Sequence, residues 1–307
     1  MPKDFVSLAD WSPDALAKIL ARAAELKQLD SRGVRPQSLE GRTLVMFFEK
    51  PSLRTHVTFE AGMTQLGGHA LLLLPEQVGI GTRETAADVA RNLSRWVDGI
   101  VARTFRHELV EELAREASVP VINGLTDRLH PCQVMADLQT IAERGPLADA
   151  VIAYVGDGNN VVNSLLFGAA LFGLELRVAT PESHRPDDRV RKRAEELAAR
   201  SGARLSFTPD PREAVRGAGF VYTDVWTSMG QEAERELRRR VFARYQVNAA
   251  LLALAPDAWV MHCLPAHRGE EITDDVLDGP RAVALDQAEN RLHSQKAILE
   301  ELLAHRA

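Results

Sequence analysis

The sequence predicts an α/β protein built from two doubly wound parallel-sheet domains. Three observations predict it. Short apolar runs alternate with helical patterns in two stretches, and the rhythm breaks between them at Arg144-Gly145-Pro146. Alternating strands and helices imply a parallel sheet covered on both faces. The length of 307 residues is more than one core commonly holds and suits two domains of about 150 residues each. Polar motifs also follow the apolar runs directly, and an open parallel sheet gathers its ligand residues at the carboxyl ends of its strands. Two such edges facing each other predict a cleft between the domains that closes on its substrates and excludes water.

The elements follow in order. Ser12-Pro13 opens the first helical pattern, serine as cap and proline in first position, with Leu16, Ile19, Leu20 and Ala23 at helical spacing. Strands are expected at 44–48, 70–74, 99–102 and 120–123, with helices at 53–66, 85–97 and 108–117 between them. The 53–66 pattern puts Leu53, Val57 and Ala61 on one face. A helix at 131–143 precedes the break, so the first domain spans 1–145 and the second 146–307. The second repeats the rhythm with strands at 151–155, 175–179, 204–207, 220–223, 259–262 and 282–285. A final helix from 288 to about 305 is expected to cross back onto the first domain.

Hydrophobic residues make up 45% and charged residues 26% of an ordinary globular composition. The net charge of −6 comes from interspersed signs, so no basic surface argues for nucleic acid. An anionic substrate must be drawn by local arginines and helix ends. The stretch 233–244 holds five arginines diluted by Glu234 and Glu236, which reads as a solvated helix face. Only Cys132 and Cys263 occur, too few for a disulfide framework, and a reducing cytosol fits. The first residues carry no signal-peptide pattern, and no apolar run approaches the ~20 residues that span a bilayer. A cytoplasmic location is expected.

The chemistry lies in five motifs. Glu49-Lys50-Pro51-Ser52-Leu53-Arg54-Thr55 follows the first strand and opens a helix. Hydroxyls, an arginine and unpaired N–H groups at a helix N-terminus suit a phosphate, although Ser52 also has the ordinary role of an N-cap. Arg103 ends an apolar strand in Ala102-Arg103-Thr104-Phe105. Guanidinium groups such as those of Arg54 and Arg103 match phosphate oxygens bidentately. His130-Pro131-Cys132-Gln133 opens the next helix, with Cys132 a small buried filler. In the second half stand Asp224-Val225-Trp226-Thr227-Ser228-Met229-Gly230 and His262-Cys263-Leu264-Pro265. His262, Cys263 and His267 lack the repeated ligand pairs of a structural zinc site, so no metal is expected. Gly156-x-Gly158 begins a dinucleotide fingerprint, but Val161 replaces its third glycine and no acidic residue follows the next strand. A nucleotide-dependent oxidoreductase is thereby disfavoured.

In this order the motifs resemble the aspartate/ornithine carbamoyltransferase family, and within it the ornithine branch. The resemblance runs from about Phe5 into the last helix. It implies transfer of a carbamoyl group from carbamoyl phosphate to the δ-amine of ornithine, with no cofactor and no metal, in a homotrimer or a dimer of trimers. It places Ser52, Leu53, Arg54, Thr55, Gln77, Arg103, His130, Gln133, Cys263, Leu264 and Arg291 at carbamoyl phosphate. Among these, Thr55, Arg103 and His130 polarise the carbonyl, while Gln133, the Leu264 carbonyl and Arg291 hold the amino group. Gln77 is implied as a phosphate ligand that could reach a neighbouring subunit. Asn160, preferred over Asn159 for its spacing to Asp224, joins Asp224, Ser228 and Met229 on ornithine. Catalysis falls to Arg103, His130, Asp224 and Cys263, with Cys263 either orienting the amine or moving its proton. Leu53 and His56 depart from the family pattern, where Thr and Arg are usual. Aspartate, putrescine or a modified ornithine are alternative acceptors. A non-catalytic amino-acid-binding module has no need of the carbonyl polarisers.

Overall fold

The computed structural model describes residues 2–227, 230 and 232–304. The chain divides into two compact units. One is Met1–Gln139 with Glu289–Ala307, and the other is Thr140–Ala288. The division falls at 139/140, inside the Pro131–Ala142 helix, earlier than the break at Gly145-Pro146.

The first unit holds four parallel strands, β1 (Thr43–Phe48), β2 (His69–Leu73), β3 (Gly99–Arg103) and β4 (Val121–Leu125), in the order β2-β1-β3-β4. β1 is Thr-Leu-Val-Met-Phe-Phe, buried from Leu44 onward, as a central strand covered on both faces requires. The edge strand β2 alternates exposed and half-buried positions instead. The chain runs outward from β1 to β2 and then returns past β1 to β3. The topological switch point therefore lies between β1 and β3, and an open sheet binds its ligand beside it. Val45, Phe47, Val89, Ile100, Leu109, Val110 and Leu113 form the core over one face.

Ser12 caps the Pro13–Ser31 helix through Oγ, which accepts from Ala15 N at 3.2 Å, and Leu16, Ile19, Leu20, Ala23 and Leu26 are buried. The last helix, Ala284–Leu303, belongs to this unit from Glu289 on. Arg22 Nη2 and Nε reach the Glu300 carboxylate at 3.0 and 2.5 Å, and Lys27 Nζ donates to Asn290 Oδ1 at 2.8 Å. A Cβ on Gly99 would lie 2.9 Å from Leu303, so that glycine lets the helix end close onto β3.

The face carrying Leu53, Val57 and Ala61 is not the buried one. On the Leu53–Gln65 helix the inward side chains are Thr55, Phe59 and Met63, while Leu53 is 75% and Val57 50% exposed.

The second unit holds β5 (Val151–Val155), β6 (Glu175–Ala179), β7 (Arg204–Thr208), β8 (Phe220–Thr223) and β9 (Trp259–His262), all parallel in the order β7-β6-β5-β8-β9. Its switch point lies between β5 and β8. The helix after β5, Asn160–Phe172, is buried from Val161 to Leu171 and carries no charged residue, as befits a helix enclosed on all sides. The strand expected at 282–285 does not form. Ala282 makes an isolated bridge to Val260, Val283 N donates to Val260 O at 2.9 Å, and the chain then enters its last helix at Ala284. Among the described residues no helix is long and apolar enough to cross a membrane.

Candidate active site

At the switch point of the first unit, the segment after β1 is tied to the end of β3. Glu49 N donates to Arg103 O and Phe105 N to Glu49 Oε2, both at 2.8 Å. Ser52 then caps the Leu53–Gln65 helix, its Oγ accepting from Thr55 N at 3.1 Å. The cap uses a lone pair and leaves the hydroxyl proton able to donate. Thr55, 1% exposed, is the hub: its Oγ1 accepts from Arg291 Nη2 at 3.0 Å and from Arg103 Nη1 at 3.4 Å. A hydroxyl that accepts twice still has its own proton to give.

Arg103 reaches this point from the last position of β3, where the β3–β4 register shifts between Ala102 and Arg103. Arg291 comes from the last helix and is 2% exposed. Its Nη1 donates to Gln133 Oε1 at 2.7 Å, and Gln133 Nε2 donates to Asp137 at 2.8 Å. With its amide turned so that oxygen faces the guanidinium, Gln295 accepts from Arg291 Nη2 and Nε at 2.8 and 3.1 Å. A guanidinium carries only donors, so the Arg291 side chain cannot accept from an amino group. Its reach is to Gln133 and Thr55, and it sets the direction of the Gln133 amide.

His130 stands immediately before the Pro131–Ala142 helix and is 5% exposed. Burial first, then the positive charges of Arg291, Arg103 and Arg54, hold its pKa well below the ordinary histidine value. The imidazole is thus neutral around pH 7, a hydrogen-bonding group that adds no charge. The same interactions bring Arg54, Arg103 and Arg291 around one histidine.

At the switch point of the second unit, Asp224 follows β8 and is 6% exposed. Its Oδ2 accepts from Asn159 Nδ2 at 2.7 Å, and its Oδ1 accepts from Cys263 Sγ at 3.0 Å. Cys263 follows β9 in a turn held from beneath. His262 is fully buried; its Nδ1 accepts from Leu264 N at 2.9 Å, so its Nε2 carries the proton and faces Glu271 Oε1 at 3.1 Å. Glu271 Oε1 also accepts from His267 N at 2.5 Å. This network holds Leu264 at φ 57°, a left-handed conformation that non-glycine residues rarely adopt.

Donor atoms of Asp224, His262 and Cys263 lie within 4.8 Å of one another. Both His262 ring nitrogens are engaged by Leu264 and Glu271, so the trio does not fit a cation.

Two domain models of one family match the chain. "Aspartate/ornithine carbamoyltransferase, carbamoyl-P binding domain" covers residues 3–143, and "Aspartate/ornithine carbamoyltransferase, Asp/Orn binding domain" covers 148–302. The ornithine carbamoyltransferase of Anoxybacillus flavithermus is 54% identical over 98% of this chain and 96% of its own. The anabolic ornithine carbamoyltransferase of Pseudomonas aeruginosa is 52% identical over 99% of this chain and 98% of its own. Among solved structures, ornithine carbamoyltransferase from Pyrococcus furiosus superposes with a TM-score of 0.96 at 50% identity, covering 100% of this chain and 98% of that one. The chain belongs to the aspartate/ornithine carbamoyltransferase family.

Within this member of the family, Arg54, Thr55, Arg103, His130, Gln133 and Arg291 are brought together in the first unit, and Asp224 and Cys263 in the second. Gln77 is exposed and its Oε1 accepts from Leu74 N at 2.7 Å, capping the Pro75–Val78 turn of helix. Ser228 and Met229 lie outside the described residues. Asn160 is half-buried as the first residue of its helix.

Three residues escaped the sequence reading. Asn159 contacts Asp224, Glu271 holds the His262 turn, and Arg238 is only 6% exposed within a stretch read as solvated. Arg238 Nη1 donates to Asp157 Oδ2 at 3.0 Å and to Trp226 O at 2.8 Å, fastening the segment after β8 to the turn after β5. Burial outweighs this pairing and raises the Asp157 pKa to about 6. That turn has no room for a dinucleotide. A Cβ on Gly158 would lie 2.3 Å from the Arg185 carbonyl carbon, because the 184–186 segment crosses directly over it.

The two cysteines should differ sharply toward thiol reagents. Cys132 is fully buried, and burial pushes its thiol up to about 12, whereas Cys263 is half-buried. Thiolate is the reacting form. Titration of native protein with a disulfide reagent should modify Cys263, and Cys132 only after unfolding. Rapid modification of a native Cys263→Ser variant would contradict this.

Proposed function

We propose that the protein transfers the carbamoyl group of carbamoyl phosphate to the δ-amine of L-ornithine, releasing L-citrulline and phosphate. The observation that carries this reading is the hydrogen-bonded cluster of Arg103, Thr55, Arg291 and Gln133 beside the Ser52-capped helix, with buried His130 within the field of Arg54, Arg103 and Arg291. Fixed cations suit the phosphate dianion, and neutral N–H and O–H donors suit the carbonyl oxygen. Arg54, Arg103, Ser52 and the first-turn N–H groups bind the phosphate. Thr55, Arg103 and His130 donate to the carbonyl oxygen as it gains charge. Gln133 Oε1, oriented by Arg291, accepts from the carbamoyl amino group, with the Leu264 carbonyl as a second acceptor.

The second unit takes the amino acid. Asp224 and Cys263 meet the δ-amine, and Asn160, Ser228 and the Met229 N–H hold the α-substituents. The neutral amine attacks the carbonyl carbon. The C–N bond forms, the C–O bond to phosphate breaks, and the proton given up by the amine ends on the departing phosphate, which leaves as hydrogen phosphate. Asp224 favours ornithine over aspartate as acceptor, since aspartate would bring another carboxylate against it.

Free ornithine's δ-ammonium has a lysine-like pKa near ~10.4, so turnover should climb from about pH 6 into the alkaline range. Burial and the nearby arginines hold the His130 pKa well below the ordinary histidine value. We place the enzyme in the cytoplasm and in arginine biosynthesis, in line with the relative named anabolic. We further propose a homotrimer or a dimer of trimers, which would cover the exposed Leu53 and Val57, with Gln77 as a phosphate ligand.

A colorimetric citrulline assay tests the reading. Carbamoyl phosphate with ornithine should give citrulline, and aspartate or putrescine should turn over at least a hundredfold more slowly on the basis of unmatched polar groups in the acceptor site. Faster turnover of aspartate or putrescine would overturn it.

A further inference from the structure

We propose that Asn159 is a positioning residue for the acceptor: its side-chain amide fixes the Asp224 carboxylate so that Oδ1 stands at Cys263. The inference rests on Asp224 receiving the acceptor amine.

The amide's orientation is unambiguous. Asn159 Oδ1 accepts from Val161 N at 2.9 Å and from Val162 N at 3.4 Å, as the N-cap of the Asn160–Phe172 helix. Buried Tyr154 donates its hydroxyl proton to Asp157 O at 2.9 Å, and its oxygen lies 3.3 Å from Asn159 Oδ1. Two backbone donors converge on Oδ1, so Nδ2 must face the other way, where the Asp224 carboxylate accepts from it at 2.7 Å. Turning the amide over would set donors against donors and oxygen against oxygen. The Asp224 rotamer is therefore fixed by the end of a rigid buried helix rather than by a mobile side chain.

Two substitutions separate positioning from capping. Asn159→Asp keeps a good N-cap acceptor but places a carboxylate where the donor was. Two carboxylates in hydrogen-bond contact cannot both ionise freely, so they titrate as a pair with one strongly raised pKa. At low pH the pair shares a proton and retains the Asp224 geometry. As pH rises the proton leaves, and repulsion swings Asp224 away. The other titratable groups around Asp224 are Cys263 and His262 of the turn after β9, Tyr154 and Asp157 of β5 and its turn, and Glu271. All are unchanged in the variant. Asn159→Ser keeps the cap and is too short to reach Asp224.

Steady-state kinetics over pH 6–9 should show Asn159→Asp losing turnover as pH rises, at least tenfold relative to the parent at pH 9, where the parent is still climbing. Asn159→Ser should lose about tenfold in kcat/KM for ornithine and keep the parent's pH profile. KM for carbamoyl phosphate should stay within twofold in both, with melting temperatures close to the parent's. Parent-like ornithine kinetics and pH profile in Asn159→Asp would overturn the proposal. So would losses in both variants that simply track a falling melting temperature, since Asn159 would then be a helix cap alone. A parent protein that makes no citrulline would instead refute the assigned reaction.

Discussion

In an Arg103→Met variant, kcat/KM for carbamoyl phosphate is expected to fall by roughly three orders of magnitude while the protein still folds. Arg103 is assigned both to the phosphate and to the carbonyl oxygen. Loss of a charge-assisted hydrogen bond costs about 1.5–3 kcal/mol, and loss of an oxyanion donor costs about 10²–10³ in rate. The effects overlap, so about 4 kcal/mol, or ~10³, is a fair total. Methionine occupies similar buried volume and adapts to irregular space. Thr55 also keeps its hydrogen bond from Arg291, so circular dichroism should match the parent. A loss under tenfold in the folded variant would remove Arg103 from the chemistry.

Glu271→Ala should give the largest loss of stability, about 3–5 kcal/mol, because it leaves two buried donors unsatisfied at about 1–3 kcal/mol each. Glu271 and His262 are both 0% exposed, and one carboxylate oxygen serves both His262 Nε2 and His267 N. Removing it strands two buried donors and releases the ring whose other nitrogen holds Leu264 in its left-handed conformation. Such a conformation costs about 1–3 kcal/mol and persists only when its surroundings impose it. The midpoint of urea unfolding should drop accordingly, and Glu271→Gln, which keeps an acceptor, should recover part of it. An unshifted midpoint in Glu271→Ala would show that the pair is not a stabilising contact.

The architecture was readable because parallel strands buried on both faces must be apolar throughout, as the run Leu44–Phe48 is. That Arg103 would find a polar partner was readable for a related reason: an arginine that ends a buried strand requires one, and Thr55 accepts from it. Hydropathy failed where one residue did the work of a run. Ala282 makes a single bridge to Val260, and the chain turns into the last helix at Ala284, leaving Leu285 78% exposed. Leu53 and Val57 misled in the opposite sense, because helical spacing identifies a face without saying what covers it. Arg238 was lost in averaging, since five arginines in one stretch look alike until one is found under Trp226 and against Asp157. The contact of Asn159 with Asp224 depends on which way one amide turns, and adjacent identical letters carry no such information.

The cap at Asn159 has an electrostatic consequence. Asn160–Phe172 contains no ionisable side chain, so its only field is that of its aligned peptides, equivalent to roughly half a positive charge at the amino end. That field reaches Asp224 through an amide, and the carboxylate's second oxygen is met by a thiol. Among the described residues, an amide and a thiol hydrogen-bond this carboxylate, while Arg238 is engaged with Asp157 and Trp226 O. An incoming ornithine therefore has no lysine or arginine hydrogen bond from the described residues to displace at Asp224.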